Sequence, residues 1–189
     1  MIWLVRQLFA IAVLPFTVAV LIPRWIGQRN AITFHLASNG SEWLQQIGGG
    51  CVLAAGAVLF VASLRRFVTE GRGTLAPWDP PRRLVVRGPY RYVRNPMISG
   101  VVFVLFGEAL VLRSRPHFVW ALLFFAINCV YIPLLEEPML ADRFGADYRT
   151  YCRHVPRLIP RLRPWIPPAA APADAGATAR GHDREGHRS

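Results

Sequence analysis

The sequence predicts an all-α integral membrane protein with about four transmembrane helices, the last two of which form an antiparallel hairpin, followed by a cytoplasmic C-terminal helical piece. Three observations support this fold class. Hydrophobic residues make up 53% of the 189 residues and charged residues only 17%, which is too apolar for a typical soluble domain. Four apolar stretches approach the roughly 20 residues that a membrane-spanning helix needs. The basic residues, all of them arginine, cluster between and after these stretches.

The first two stretches define an N-terminal unit over residues 1–64. The first stretch runs roughly from Trp3 to Pro23, and Pro15 near its middle is expected to kink the helix because proline donates no backbone hydrogen bond. The second stretch spans about Leu44 to Leu64 and is rich in glycine and alanine. Small residues allow helices to approach closely in a membrane, so this stretch is predicted to pack tightly against a neighbour.

The third and fourth stretches run from about Pro96 to Leu112 and from about His117 to Leu135. Only four residues separate them, and so short a connection predicts an antiparallel helical hairpin. Proline is well suited to the first turn of a helix, where its missing N–H is not needed. Glu108 and Asn128 lie inside these apolar stretches, and we expect them to hydrogen-bond to each other across the hairpin, with a substrate role as the alternative.

The distribution of arginine predicts the orientation in the membrane. Residues 65–95 carry eight arginines and the region beyond Leu135 carries nine, whereas each of the two other connections carries two. The positive-inside rule therefore places the 65–95 loop and both termini in the cytoplasm, with the protein in the inner membrane of a bacterium. Topology and anionic headgroups also explain the net charge of +11, so we predict a lipid environment and no nucleic-acid partner.

The C-terminal half divides into two parts. Residues 96–163 comprise the hairpin and an ordered cytoplasmic region, in which residues 137–144 suit a short helix ended by Gly145 and residues 155–161 an extended strap. Residues 164–189 are rich in alanine, proline, glycine and charge, with no apolar pattern, and are predicted to be disordered. The three cysteines show no paired spacing, so no metal site is predicted.

Two polar features meet at the cytoplasmic end of the predicted hairpin. Glu136 and Glu137 follow the fourth stretch, although the C-terminus of a helix favours cations over carboxylates, which suggests that they serve something else, such as a cationic ligand. The alternative is a pair of interfacial charges that ends the helix. Pro96 opens the third helix, whose first N–H groups can bind an anion. Because the hairpin is antiparallel, both features lie on the same side of the membrane. A pocket of this kind suits a zwitterion such as an amino-acid headgroup.

These residues carry a family resemblance. The elements Gly88-Pro89-Tyr90, Arg94-Asn95-Pro96-Met97-Ile98-Ser99-Gly100, Glu136-Glu137, Phe144-Gly145, Tyr148, Tyr151 and Val155-Pro156-Arg157 resemble, in order and spacing, the isoprenylcysteine carboxyl methyltransferase family. That family belongs with the phospholipid methyltransferases, which are membrane enzymes that use S-adenosylmethionine. The resemblance covers roughly residues 82–161. It implies a cofactor site between the hairpin and the cytoplasmic C-terminal region.

The resemblance also implies which residues bind S-adenosyl-L-methionine. They are Arg83, Leu84, Val85, Tyr90, Arg94, Asn95, Pro96, Met97, Ile98, Gly100, Glu136 and Glu137. Two of them depart from the family pattern: Asn95 stands where histidine is usual, and Ile98 where tyrosine is usual. Asparagine keeps a donor and an acceptor but cannot take up a charge, and isoleucine lacks the aromatic surface and the hydroxyl.

The predicted activity is methylation of a lipidic or hydrophobic small-molecule acceptor at the membrane. The accepting atom and the oligomeric state stay open. Related membrane reductases share a similar C-terminal region but use NADPH, which gives one alternative. A catalytically inactive membrane module that binds acidic lipids through its arginines is the other. Methyl transfer from a sulfonium mainly requires positioning and exclusion of water, so the lack of a Ser-His-Asp triad or a metal cluster does not argue against it.

Overall fold

The computed structural model describes residues 12–66, 69 and 84–166 of the chain. Within these residues all regular structure is helical and no strand occurs, as predicted. A π-helical segment, Ala12–Leu21, leads into α1 (Ile22–Arg29), and the chain continues with α2 (Gly40–Arg66). A short 3₁₀ turn, Gly88–Arg91, precedes α3 (Pro96–Val111) and α4 (Arg115–Tyr131). A π-helical turn, Ile132–Glu136, joins α4 to α5 (Glu137–His154).

Two helices are long and apolar enough to cross a membrane. They are α2, with 27 residues, and the continuous helix Arg115–His154, with 40 residues, and only 17% of the apolar window of each is buried inside the protein. Low burial distinguishes them from the core helices of a soluble protein, because their outward faces are themselves apolar. The third apolar helix, α3, has 16 residues and is shorter than a typical span. A 40-residue helix is about 60 Å long, twice the hydrocarbon thickness, so its polar part from Glu136 onward extends beyond the apolar span.

Glycines bring α2 and α3 into backbone contact. Gly49 and Gly56 lie seven residues apart on one face of α2, and Gly100 and Gly107 are spaced identically on α3. A Cβ atom added to Gly56 would lie 2.7 Å from the carbonyl oxygen of Gly100, and one added to Gly107 would lie 2.6 Å from the backbone nitrogen of Leu53. Real Cβ atoms do not approach this closely. The predicted tight packing of the second apolar stretch is therefore confirmed, with α3 of the same chain as the neighbour.

A second contact surface joins α3 to α4 and to the N-terminal segment. Val101, Leu105 and Ala121 form its buried core. The rings of Phe106 and Phe118 meet edge to face at 5.4 Å between centroids. Such aromatic pairs add to the stability obtained from apolar burial.

The predicted hydrogen bond between Glu108 and Asn128 does not form. Asn128 donates from Nδ2 to the carbonyl oxygen of Phe124, one turn back in its own helix, at 2.8 Å. One carboxylate oxygen of Glu108 is buried without a hydrogen-bond partner. The expectation was wrong because an asparagine side chain can satisfy itself within its own helix, so position within an apolar stretch does not define its partner.

The C-terminal region folds back onto the turn before α3. Gly145 adopts φ 57°, ψ −128° and breaks the regularity of α5, where the sequence predicts the end of a short helix. The chain then becomes extended at Val155, and the strap that follows runs beside residues 91–95. The described chain ends at Ile166, and the neighbouring Trp165, beyond the predicted boundary at residue 163, stacks on His154. Most of the predicted tail, residues 167–189, lies outside the described residues.

Candidate active site

The site is built around the turn that precedes α3 and the strap that follows α5. The N–H of Arg94 donates to the carbonyl oxygen of Pro156 at 2.8 Å, and the N–H of Asn95 donates to that of Arg157 at 3.2 Å. Further along the strap, the N–H of Arg161 donates to the carbonyl oxygen of Tyr92 at 3.0 Å. With the N–H of Trp165, which donates to the carbonyl oxygen of Arg91 at 2.9 Å, four backbone bonds hold the two segments side by side. They therefore fix the position of the motif residues relative to α5.

Side chains strengthen this attachment. Ser99 donates from Oγ to the carbonyl oxygen of Leu158 at 2.6 Å, in a buried position. The hydroxyl of Tyr151 donates to the carbonyl oxygen of Tyr90 at 2.6 Å. Asn95 contributes a longer bond of 3.5 Å from Nδ2 to the carbonyl oxygen of Arg157. In this structure Asn95 thus contacts the strap through its uncharged amide.

Glu137 is fully engaged in an ionic cluster. Arg157 binds it through two atoms, with Nε 2.7 Å from Oε1 and Nη2 2.9 Å from Oε2. Nη1 of Arg94 lies 2.8 Å from the same Oε1 and also donates to Sγ of Cys152. Burial alone would raise the pKa of Glu137, but the bonds from Arg157 and the charge of Arg94 lower it overall. Glu137 therefore stays ionised and joins α5, the strap and the turn before α3.

Glu136 has a different environment. This half-buried carboxylate has no hydrogen bond or ion pair within the described residues. Burial, and then the negative charge of Glu137, raise the pKa of Glu136 to about 7. Its charge also contributes, after burial and Tyr151, to a raised pKa of Tyr90. Glu136 is available to a ligand, whereas Glu137 is not.

Unsatisfied donors lie in the turn before α3 and at its first residues. Nε of Arg94 is buried and has no hydrogen-bond partner within the described residues. The side chain of Asn95 makes no cap bond at the start of α3, so the N–H groups of the first turn lack a side-chain acceptor. A carboxylate without a partner and donors without an acceptor are the groups that the two ends of a zwitterion require. Buried polar groups normally have partners, and a bound ligand would supply them here.

The other predicted site residues have varied positions. Tyr90 and Met97 are in contact, since the hydroxyl of Tyr90 lies 3.4 Å from the sulfur of Met97. Pro96 is buried as the first residue of α3, and Ile98 is half-buried. Leu84 packs against the cluster formed by Tyr148, Tyr151 and Val155, and Val85 is buried. Gly100 lies on the face of α3 that packs against α2, where it faces Phe60. Arg83 lies outside the described residues.

Three residues that hold the site together were not among the predicted site residues. Arg157 and Cys152 contact the ionic cluster, and Ser99 fastens the strap. A signal for Arg157 existed, because a basic residue within the resemblance could be expected to meet one of the two glutamates. No such signal existed for Cys152 or Ser99, since their partners are distant in the sequence and, for Ser99, a backbone carbonyl.

The sequence matches the phospholipid methyltransferase family over residues 44–147, more than half of the chain, and the protein belongs to this family. The match covers α2, α3, α4 and the two glutamates, and it ends within α5. No curated protein and no solved structure shows a significant match to the chain.

Proposed function

We propose that this protein is an S-adenosylmethionine-dependent methyltransferase that acts on a lipidic or hydrophobic small-molecule acceptor at the membrane. The observation that carries the proposal is that Glu136 and Nε of Arg94 both lack a hydrogen-bond partner within the described residues, in a chain that belongs to a methyltransferase family. Within that family, the motifs around Arg94 and Val155 favour a place near the isoprenylcysteine carboxyl methyltransferases.

The two ends of the pocket would hold the amino-acid part of the methyl donor. Glu136 would bind its ammonium group, and Nε of Arg94 together with the first N–H groups of α3 would bind its carboxylate. When bound, this cofactor supplies an electrophilic methyl group on a sulfonium. Among the residues predicted from the resemblance, Glu137 would act indirectly, because its contacts with Arg94 and Arg157 hold the donor wall in place.

The remaining task of the protein is to orient the methyl donor and the acceptor and to exclude water from the site. Tyr90 and Met97, in contact with the Tyr90 hydroxyl 3.4 Å from the Met97 sulfur, would form one side of the site. Transfer to a carboxylate acceptor needs no base, and transfer to an amine needs only that the amine arrive deprotonated. Holding both reactants in line then provides most of the rate enhancement. The site residues present are sufficient for that role.

The proposed topology has four membrane spans, with α3 and α4 as an antiparallel hairpin and both termini in the cytoplasm. The apolar outer faces of α2 and α4 support it, since Leu44 and Val58 are exposed by 77% and 69%, and Val119 by 62%. Such faces are stable against acyl chains and unstable against water. A lipidic acceptor would then reach the site laterally from the bilayer, while the methyl donor would arrive from the cytoplasm.

Calorimetry on the purified protein in detergent tests the cofactor site. We expect S-adenosylmethionine to bind the native protein and to lose at least about tenfold in affinity for Glu136→Gln, which removes the charge that faces the ammonium. Asp142→Asn is the matched control, because Asp142 is an exposed carboxylate on the same helix without a partner in the described contacts. Equal affinity for the native protein and Glu136→Gln would contradict the assignment.

A transfer assay tests the reaction itself. Membranes containing the protein are incubated with S-adenosylmethionine radiolabelled in the methyl group, and the extracted lipids are counted. Label in the lipid fraction, absent for Glu136→Gln, supports the transferase. NADPH consumption without labelling would support the reductase alternative. Binding to acidic vesicles with neither activity would support the inactive lipid-binding module.

A further inference from the structure

Arg94 contacts the ionic cluster through only one of its three guanidinium nitrogens. Its Nη1 lies 2.8 Å from Oε1 of Glu137 and donates to Sγ of Cys152 at 2.8 Å. Its Nε is buried without a partner, and its Nη2 makes no hydrogen bond or ion pair within the described residues. Both contacts are therefore made on one side of the guanidinium, and the nitrogens of the other side are unused.

The two unused nitrogens form the edge with which arginine binds a carboxylate through two atoms. The N–H of Nε and one N–H of Nη2 point in the same direction, so they can donate to both oxygens of a single carboxylate. Arg157 has this geometry in the same cluster, with Nε 2.7 Å from Oε1 and Nη2 2.9 Å from Oε2 of Glu137. Because Arg157 already binds both oxygens of Glu137, the same edge of Arg94 remains open for another carboxylate.

The orientation of the Arg94 guanidinium depends on Cys152. An ion pair with a single oxygen of Glu137 leaves a guanidinium free to turn about that contact, and a second contact on the same nitrogen restricts the turn. The half-buried thiol of Cys152 supplies this second contact from α5. Cys152 is held in its turn by Tyr148, whose pKa is raised by burial and then by the charge and hydrogen bond of Cys152.

We propose that Cys152 is a positioning residue that directs the Nε and Nη2 edge of Arg94 towards the carboxylate of the methyl donor, so that the carboxylate is bound through two parallel hydrogen bonds. The inference rests on the proposed function, because it assigns the way in which that site binds one end of its cofactor. Without the thiol, the guanidinium keeps only its ion pair with Glu137 and turns out of line. The carboxylate then keeps one hydrogen bond instead of two.

A comparison of two ligands tests this role. The full-length protein in detergent is titrated by calorimetry with S-adenosylmethionine and with its decarboxylated analogue, which lacks only the group that Arg94 would bind. Cys152→Val removes the hydrogen-bond acceptor with little change in volume. We expect it to weaken S-adenosylmethionine by about fivefold or more and the analogue by less than about twofold. Cys51→Val, at an exposed cysteine of α2, is the matched control and should change neither affinity.

Two further variants test the acceptor and the edge separately. Cys152→Ser keeps an acceptor at the same position, so it should retain most of the affinity for S-adenosylmethionine; it also serves if Cys152→Val does not fold. Arg94→Lys keeps the positive charge but has no two-atom edge. It should weaken S-adenosylmethionine by about tenfold and leave the analogue nearly unchanged.

The outcomes separate this inference from the proposed function. Equal losses for both ligands in Cys152→Val would show that the thiol only supports the fold, and would overturn the positioning role. The same conclusion follows if Cys152→Val binds S-adenosylmethionine as tightly as the native protein. In both cases a native protein that binds S-adenosylmethionine, and loses affinity in Glu136→Gln, leaves the proposed function intact. A native protein that binds neither ligand contradicts the proposed function and this inference with it.

Discussion

Glu136 and Glu137 show how differently two adjacent, identical residues can be used. Glu137 is held by two arginines, whereas Glu136 has no partner within the described residues. Their side chains leave the helix about 100° apart, so Glu137 meets Arg157 of the strap while Glu136 points in a different direction. The sequence predicts the pair as a single acidic feature. The structure divides it into a residue that holds the site together and a residue that can bind a ligand.

Removal of the Glu137 charge should destabilise the fold. Glu137→Gln leaves Arg94 and Arg157 without a counter-charge at positions where their side chains are 11% and 36% exposed. We expect a loss of about 2 kcal/mol in the free energy of unfolding at pH 7, less than for a fully buried pair because Arg157 reaches water. Thermal unfolding in detergent measures it. Asp142→Asn should leave the midpoint unchanged, and an equally stable Glu137→Gln would contradict the structural role of the cluster.

The pKa of Glu136 predicts how ligand binding depends on pH. Because this pKa is raised to about 7, the carboxyl group gains its charge between pH 6 and pH 8. Binding of S-adenosylmethionine should therefore strengthen as pH rises through 7, and titration calorimetry at pH 6, 7 and 8 measures it. Glu136→Gln should lose this dependence. A native protein whose affinity is the same at all three pH values would show that Glu136 does not bind the ammonium.

The raised pKa of Glu136 also affects how the free energy of unfolding depends on pH. A carboxyl group whose pKa is higher in the folded state binds more protons there, so it favours the folded state at low pH. That contribution is lost as pH rises from the ordinary value of 4.5 to about 7. Without ligand, Glu136→Gln should thus unfold at a higher temperature than the native protein at pH 8. A site kept unsatisfied for a ligand commonly reduces stability in this way.

At the scale of elements, glycine determines how α2 and α3 pack. Gly107→Leu would force a side chain into the backbone of α2, since even a Cβ would lie 2.6 Å from Leu53. We expect a loss of more than about 2 kcal/mol or a failure to accumulate folded protein. Gly48→Leu is the matched control, because nothing lies within 4 Å of the position of its Cβ. Gel filtration and thermal unfolding compare the two. Equal behaviour would contradict the close approach of the helices.

The glycine pattern also shows why the sequence predicts close packing of a helix face better than it predicts which helix that face contacts. Three consecutive glycines, Gly48, Gly49 and Gly50, look equivalent in the sequence. Only Gly49 contacts α3, while its two neighbours face open space. The periodicity of a helix predicts that some face of α2 packs closely, but not against which helix. By contrast, the sequence predicts that Pro96 begins a helix, and the structure confirms it. The preference of proline for the first turn of a helix is a local property of the chain.

At the scale of the whole molecule, the arginine distribution predicts a topology that reporters can test. A phosphatase that is active only outside the cytoplasm, joined after Ile166, should be inactive, and one inserted within residues 31–39 should be active. A fluorescent protein that matures only in the cytoplasm should give the opposite pattern. The reverse result for both reporters would invert the proposed orientation and place Glu136 on the wrong side to meet a cytoplasmic methyl donor.

The sequence alone determined the helical character, the apolar stretches, the start of α3 and the family, because composition, periodicity and short motifs are local properties of the chain. It also identified the two polar features of the candidate site. Only the tertiary structure showed that Glu137 is paired with Arg94 and Arg157 while Glu136 has no partner within the described residues, and that Glu108 lines a cavity beside His117 and does not bond to Asn128. These outcomes depend on contacts between residues far apart in the chain. Whether a polar group is free or satisfied is decided by its neighbours in space.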